Sequence, residues 1–418
     1  MTKVLLAYSG GLDTSCILQY LKDEGHTIVC YMADVGQLED FEAARKKALA
    51  LGAVACVVDD LREQFVREFV FPYVSWSAKY EGRYLLGTSV ARPCITAGLV
   101  RAAVAQQCTY VAHGATGKGN DQVRFELSVA SLAPHLKIIA PWRDAAFTAR
   151  FKGRSDLLAY AADKKIPVEA TSAKPWSMDE NLFHCSYEAG ELEDPAKQHR
   201  HGMCKLTVDA DKAPDAPLFV DVWFERGLPT KVGVRAAADA HRGADEADAI
   251  THVQVATEPL AIMLLLNELG RAHGVGRIDM VENRFVGIKS RGVYETPGGT
   301  VLFEAHADLE GIVLDREVRR IRDSLATEYT RLVYNGFWHS PEFALLEAVR
   351  AKAQESVRGV STVRLYKGSA SAVARASPLS LYNAKLSSMD EEGGFVPSHS
   401  TGFIAINAVR LKAHAGRV

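Results

Sequence analysis

Over the first 165 residues, short apolar runs alternate with longer segments whose apolar positions recur at helical spacing. That alternation predicts a parallel sheet covered by helices. Residues 4–8 read as a buried strand, followed by a glycine-rich turn and a helix closed by Gly25. Further strands are expected at 27–31, 54–58, 110–112 and 137–140, and helices at 39–51, 91–107 and 155–164. Asp60 is placed to cap the helix after the third strand. Right-handed crossovers carry all strand ends to one rim, so the glycine-rich segments after residues 8 and 112 are expected to face one crevice.

Beyond residue 170 the rhythm changes. Residues 218–224 alternate around Asp221 and can pair with 230–234 as an antiparallel hairpin. The Ala-, Asp-, Gly- and His-rich stretch 236–249 reads as a solvated loop. Thr257 is expected to cap a helix ending at Gly274, with Leu260, Met263, Leu264 and Leu266 inside. Val318, Ile321, Leu325, Tyr329, Leu332 and Val333 mark one face of an amphipathic helix, and Ser340-Pro341 opens another. The last forty or so residues carry a Gly393-Gly394 turn and an apolar run from Phe403 to Leu411, a pattern suited to oligomer contact. The expected division is 1–168, 169–360 and 361–418, an α/β nucleotide-binding unit, an α+β unit and a docked tail.

The chain's 418 residues fit two or three domains. Lysine plus arginine number 49 against 51 acidic residues, so nothing favours nucleic acid or an anionic membrane as the main partner. Seven cysteines without a C-x-x-C pair suggest a reduced, intracellular protein with no disulfide or zinc framework. The first residues lack a signal-peptide pattern, and no run reaches the roughly 18 apolar residues of a membrane span. A cytoplasmic location is expected.

The strongest chemical signal is Ser9-Gly10-Gly11-Leu12-Asp13-Thr14-Ser15 between a strand and a helix. Glycines let the backbone approach an anion, and the first N–H groups of the helix are free donors at the positive end of its dipole. The natural ligand is a phosphate. The segment lacks the lysine of the Walker loop. A second segment, His113-Gly114-Ala115-Thr116-Gly117-Lys118-Gly119-Asn120-Asp121, is weak as a motif and matters through its place at another strand end.

The first loop resembles the pyrophosphate-binding loop of the ATP pyrophosphatases, which cleave ATP between the α and β phosphates. Residues 83–93 (Arg-Tyr-Leu-Leu-Gly-Thr-Ser-Val-Ala-Arg-Pro), 113–125, 176–181, 276–279 and 289–299 narrow the likeness. Together, in order and over nearly the whole chain, they are similar to the argininosuccinate synthase family. The resemblance implies an adenine nucleotide α-hydrolase-like first domain, a synthetase domain and a homotetramer. It also implies an enzyme that condenses citrulline with aspartate, using ATP and Mg²⁺ and releasing AMP and pyrophosphate.

By the same resemblance, ATP contacts fall on Ala7, Tyr8, Ser9, Gly10, Gly11, Leu12, Asp13, Thr14, Ser15, Ala33, His113, Gly114 and Gly117. Citrulline contacts fall on Tyr84, Ser89, Asn120, Arg124, Ser177, Ser186, Glu282 and Tyr294, and aspartate contacts on Thr116, Asn120 and Asp121. Arg124 suits a bidentate grip on citrulline's carboxylate and Glu282 its ammonium. Lys118 is a candidate for the charge that gathers on departing pyrophosphate. Asp121 is a candidate to orient or deprotonate the aspartate amine, or else an N-cap. Asp13 either touches Mg²⁺ or caps its helix, and the metal ligands stay unassigned. His113 at a strand end reads more readily as a core or hinge histidine than as a catalyst, and Ser177, Ser186 and His184 give no triad order. Alternatives are another α/β-cleaving adenylating enzyme and a non-catalytic nucleotide sensor. The chain shows neither the basic extension of a tRNA enzyme nor the paired cysteines of a sulfur-transfer one.

Overall fold

The computed structural model describes residues 2–117, 119–167, 176–390 and 393–417. Lys118 lies outside them. Strand β1 (Lys3–Ala7) is buried on both faces, with Val4, Leu5 and Leu6 fully enclosed, so its sequence is continuously apolar. Then come α1 (Leu12–Asp23), β2 (Thr27–Asp34), α2 (Phe41–Ala50), β3 (Ala55–Asp60), α3 (Gly87–Ala105), β4 (Tyr110–Ala112), α4 (Asp121–Leu132), β5 (Lys137–Ile139) and α5 (Arg154–Asp163). The five strands pair in the order β3-β2-β1-β4-β5, all parallel. The order reverses between β1 and β4. Their carboxyl ends feed the two glycine-rich segments, so both open at the switch point, where ligands enter such sheets.

Helix α3 starts abruptly. Leu86 caps it in the left-handed region (φ 56°), and a Cβ on Gly87 would lie 2.2 Å from the His184 ring. Pro93 sits inside the helix. Asp60 does not cap the next helical turn, whose N-cap is Leu61; its carboxylate instead takes the Arg62 N–H and guanidinium.

The rest of the chain builds two antiparallel sheets. Its elements are β6 (Ser177–Glu180), β7 (Cys185–Glu188), β8 (Leu218–Glu225), β9 (Leu228–Arg235), β10 (His252–Ala256), α6 (Pro259–Ala272), β11 (Arg277–Asn283) and β12 (Lys289–Glu295). They continue with α7 (Pro297–Val313), α8 (Arg316–Asn335), α9 (Pro341–Ala353), β13 (Gly359–Tyr366), β14 (Ser369–Ala376) and α10 (His399–Ala415). The strand orders are β11-β12-β7-β6 and β10-β9-β8-β13-β14. The expected hairpin forms, turning at Arg226-Gly227.

Several expectations change. The expected boundary at 360 falls within β13, which pairs with β8 and β14. The loop at 236–249 is tied down. Arg235 binds the buried Asp221 carboxylate through Nε and Nη2, each at 2.8 Å, and reaches the Arg242 carbonyl at 2.6 Å. Thr257 does not cap α6, whose N-cap is Glu258 with Pro259 in the first turn. Leu264 and the α8 residues Val318 and Ile321 are exposed, while Tyr329, Leu332 and Val333 are buried. Ser340 does cap α9, accepting the Phe343 N–H at 3.2 Å. In α10, Phe403, Ile404, Ile406, Val409 and Leu411 are all exposed.

The fully buried Glu295, at the end of the inner strand β12, ties residues 205–207 to the four-stranded sheet. It accepts from the Tyr187 hydroxyl (2.5 Å), the N–H groups of Lys205, Leu206 and Thr207, and the Thr207 hydroxyl (2.6 Å). Among the described residues no helix is long and apolar enough to cross a membrane.

Candidate active site

The first loop wraps tightly onto α2. Gly10 takes φ +74°, and a Cβ there would lie 2.9 Å from Ala44 Cβ. Lys47 Nζ donates to the Gly10 carbonyl at 2.7 Å. Thr14 Oγ1 accepts from the Ser9 N–H at 3.3 Å and sits 3.1 Å from Ser9 Oγ, which folds the hydroxyls together. Helix α1 has Gly11 at its N-cap and no side-chain cap, leaving its first N–H groups to the anion expected there. Asp13 therefore is not a cap. Its carboxyl is raised by burial, with Arg154 partly offsetting the effect.

Ala7, Tyr8, Ser9, Asp13, Thr14, Ala33, His113 and Gly114 all line a cavity of about 420 Å³ at the strand ends. Gly10, Gly11, Leu12, Ser15 and Gly117 do not line it. Ser15 does not offer a free hydroxyl to phosphate: it is fully buried, with Oγ 3.1 Å from the Tyr8 hydroxyl and 3.4 Å from the Gly10 carbonyl. Leu12 is a core side chain.

The second loop rests on the first. A Cβ on Gly114 would meet Ile17 Cδ1 at 3.2 Å and Thr14 Cγ2 at 3.3 Å. His113 is a structural pin: its Nδ1 accepts the Ala115 N–H at 3.3 Å while Nε2 lies 2.9 Å from Glu126 Oε1, which fixes the tautomer. Gln122 donates to the carbonyls of Gly117 (2.6 Å) and Gly119 (3.1 Å), closing the turn before α4.

Asp121 and Arg124 depart from expectation. Asp121 lies in the first turn of α4, whose N-cap is Asn120, so it is not the cap. Its Oδ2 accepts from Arg92 Nε and its Oδ1 from Arg124 Nη1, both at 2.9 Å. Burial would raise this carboxyl, but Arg92 and Arg124 outweigh it and hold it at about 2. Such a carboxylate orients an amine well and deprotonates it poorly. Arg124 spends the Nε–Nη2 edge on the Tyr334 carbonyl (3.0 and 2.8 Å) and stacks over the Tyr334 ring at 5.1 Å. By donor count one N–H on each Nη remains for a carboxylate.

The second cavity, about 350 Å³, is bounded by one face of the sheet β11-β12-β7-β6. Cys185, Tyr187 and Val293 pack on the opposite face, and alternation turns Ser186 and Glu188 of β7, Ser177 and Asp179 of β6 and Glu282 of β11 to the cavity. Tyr84, Thr116, Asn120, Asp121 and Arg124 complete its far wall. Tyr294 is not in the wall. It stacks behind Tyr84 with ring centroids 4.0 Å apart, and its hydroxyl donates to Glu282 Oε1 at 3.1 Å. Ser89 does not line the cavity either; its buried Oγ has no partner among the described residues.

Glu282 Oε2 and Asn120 Oδ1 are buried and make no well-formed hydrogen bond, as expected of groups awaiting a ligand. Burial first, then the nearby Glu188, pushes the Glu282 carboxyl up to about 7. His184, beside the stacked Tyr84 and Tyr294 rings, hydrogen-bonds Thr88 Oγ1 at 2.9 Å. Burial, reinforced by Arg92 and Arg124, lowers it to about 3, so it stays neutral and serves no triad with Ser177 or Ser186.

The two cavities share Arg92, Gly114, Ala115, Asp121, Met178 and Asp179. Arg92 Nη2 also donates to Asp179 Oδ2 at 2.8 Å, joining α3, α4 and β6. Sequence reasoning assigned no role to Arg92, Asp179, Glu188, Arg284 or Tyr334. For Asp179 and Glu188 the signal was strand alternation from Ser177 and Ser186. For Tyr334, at the far end of α8, there was none.

Comparison with known proteins agrees with this architecture. Residues 3–167 match the model of the arginosuccinate synthase N-terminal HUP domain, and 176–414 match its C-terminal domain. The chain is 52% identical to argininosuccinate synthase of Thermotoga sp. (strain RQ2), covering 99% of this chain and 97% of that protein. It is 52% identical to the Homo sapiens enzyme and 51% to that of Bos taurus, each over 98% of this chain and 96% of the relative. With two joined cavities at the switch point of its parallel sheet, and both domains matched end to end, the chain belongs to the argininosuccinate synthase family of enzymes.

Proposed function

We propose that the enzyme joins L-citrulline and L-aspartate at the expense of ATP, through a citrullyl-adenylate, releasing AMP and pyrophosphate. The observation that carries this reading is the shared wall: a phosphate-type loop lines one cavity, and a zwitterion-sized polar cavity opens directly beside it. The ureido oxygen of citrulline attacks the α-phosphorus, the bond to the β-bridging oxygen breaks, and pyrophosphate leaves. The aspartate amine then attacks the ureido carbon, which expels AMP bearing the former ureido oxygen.

Ser9, Thr14 and the first N–H groups of α1 bind phosphate oxygens and stabilise charge on the leaving side. Lys118, outside the described residues, is assigned to the same charge. Arg124 takes citrulline's carboxylate and Glu282 its ammonium. Thr116, Asn120 and Asp121 orient aspartate, with Asp121 remaining a carboxylate throughout. Asp13 fits Mg²⁺, since a half-enclosed carboxylate raised by burial is a hard oxygen donor facing the phosphate site. Bound there, the ion neutralises phosphate charge.

Residues 1–168 would form the ATP-binding unit. The exposed apolar side chains of α10 support a homotetramer, and the absence of disulfide or metal spacing among the cysteines supports a cytoplasmic setting. An isotope trace tests the chemistry. Citrulline labelled at the ureido oxygen should pass its label to AMP; label in pyrophosphate or water, or production of ADP, overturns the reading.

A further inference from the structure

The phosphate loop carries its two glycines side by side, and their shared peptide is the one best able to turn over. A peptide unit flips by rotating ψ of the residue before it and φ of the residue after it. At Gly10–Gly11 neither side has a Cβ to oppose that rotation. Gly11 stands at φ −71°, and a flip would carry it to the positive side, which glycine occupies about as readily. For an anion the two orientations are opposites. A trans peptide points its C=O and N–H in opposite directions, so one orientation offers the Gly11 N–H where the other offers the Gly10 carbonyl oxygen.

Helix α2 holds one of them from outside the loop. Lys47, in its last turn, donates from Nζ to the Gly10 carbonyl at 2.7 Å. Ala44, three residues earlier and on the same side of the helix, closes on Gly10, where an added Cβ would lie 2.9 Å from the Ala44 Cβ. Ser15 Oγ is a poorer partner for that carbonyl, 3.4 Å away and shared with the Tyr8 hydroxyl at 3.1 Å. The half-buried lysine therefore supplies a short, charge-assisted bond that fixes which way the peptide faces. With the carbonyl drawn to α2, the Gly11 N–H points away from Lys47.

Resting on the ATP reading proposed above, we infer that Lys47 is a positioning residue for the phosphate loop: it locks the Gly10–Gly11 peptide with its N–H toward the departing β and γ phosphates and its carbonyl away from them. Lys47 touches neither the nucleotide nor the amino acids in this account. It acts through the peptide it orients, and its effect falls on the phosphates beyond the α position.

A comparison of two nucleotides tests this. Binding of ATP and of AMP, which lacks the phosphates concerned, is measured by calorimetry on the full chain for the wild type, K47M, K47Q and K47R, with single-turnover release of pyrophosphate read beside it. Loss of a hydrogen bond of this kind predicts that K47M weakens ATP by roughly tenfold or more and slows pyrophosphate release. AMP should change less than about twofold. K47R keeps a charged donor and should recover most of the ATP affinity. Both ligands are read on the same folded protein, so a general loss of stability moves them together. K47Q, with an uncharged donor, should fall between K47M and K47R and carries the comparison where K47M does not fold. Equal weakening of ATP and AMP, unchanged ATP affinity, or K47R as weak as K47M overturns the inference. Release of ADP by the wild-type chain overturns the underlying functional reading instead, a separate outcome.

Discussion

The two cavities share a wall yet are built by opposite means. The nucleotide side is made by backbone. Consecutive residues at the ends of β1 and β4 line it, and Gly10 and Gly114 permit the close approaches. The amino-acid side is made by buried charge. Arg92, Asp121, Arg124, Glu188, Glu282 and Arg284 arrive from helices and strands far apart in sequence. Lys47 apart, a site of the first kind tolerates changes elsewhere in the chain, whereas a site of the second kind fails when any one partner is removed.

The largest effect should come from the support of the amino-acid side. Glu295→Ala removes a buried carboxylate, leaves its five donors without an acceptor, and should cost about 3–5 kcal/mol by denaturant unfolding. A loss under 1 kcal/mol would show that this sheet does not depend on the charge.

Next, Arg124→Ala removes a buried guanidinium and should weaken citrulline by roughly 30- to 1000-fold, with ATP weakened less than about threefold. Equal losses of both ligands would erase the contrast between the cavities.

Acid should separate them further. Glu282 titrates near 7 and citrulline needs its ionised form, so affinity should rise with pH up to that value and be about tenfold weaker at pH 6 than at its plateau. ATP affinity should not follow this profile. The same shift works against the empty fold: the carboxyl binds its proton more tightly folded than unfolded, so its contribution to stability falls as pH rises from about 4.3 to 7.

The smallest effect concerns the backbone side. Gly10→Ala forces a side chain into a left-handed position against Ala44 and should cost a few-fold to about tenfold in ATP affinity, leaving citrulline unchanged. Loss of citrulline binding alone would contradict the division.

This difference also explains what was legible in the sequence. The strand–helix alternation and the phosphate loop are local patterns, so β1, its turn and α1 could be read directly. Asp179 and Glu188 were within reach through alternation from Ser177 and Ser186. The pairing of Arg124 with the Tyr334 carbonyl was not, because it depends on how α8 crosses α4. Ser15 misled because a hydroxyl in a phosphate-type motif looks available until the fold encloses it. The stretch 236–249 misled by composition: its polar side chains suggested solvent, while its carbonyls are held by the one buried arginine just before it.

Pro93 leaves α3 one donor short. In an unbroken helix the amide of residue 93 would serve the carbonyl of Ser89, and proline has no N–H to give. Ser89 thus loses its usual main-chain partner at the very residue whose side-chain oxygen is also unclaimed. One turn of helix, next to the Thr88 that lines the amino-acid cavity, thus leaves two oxygens short of their ordinary donors, one on the main chain and one on the side chain.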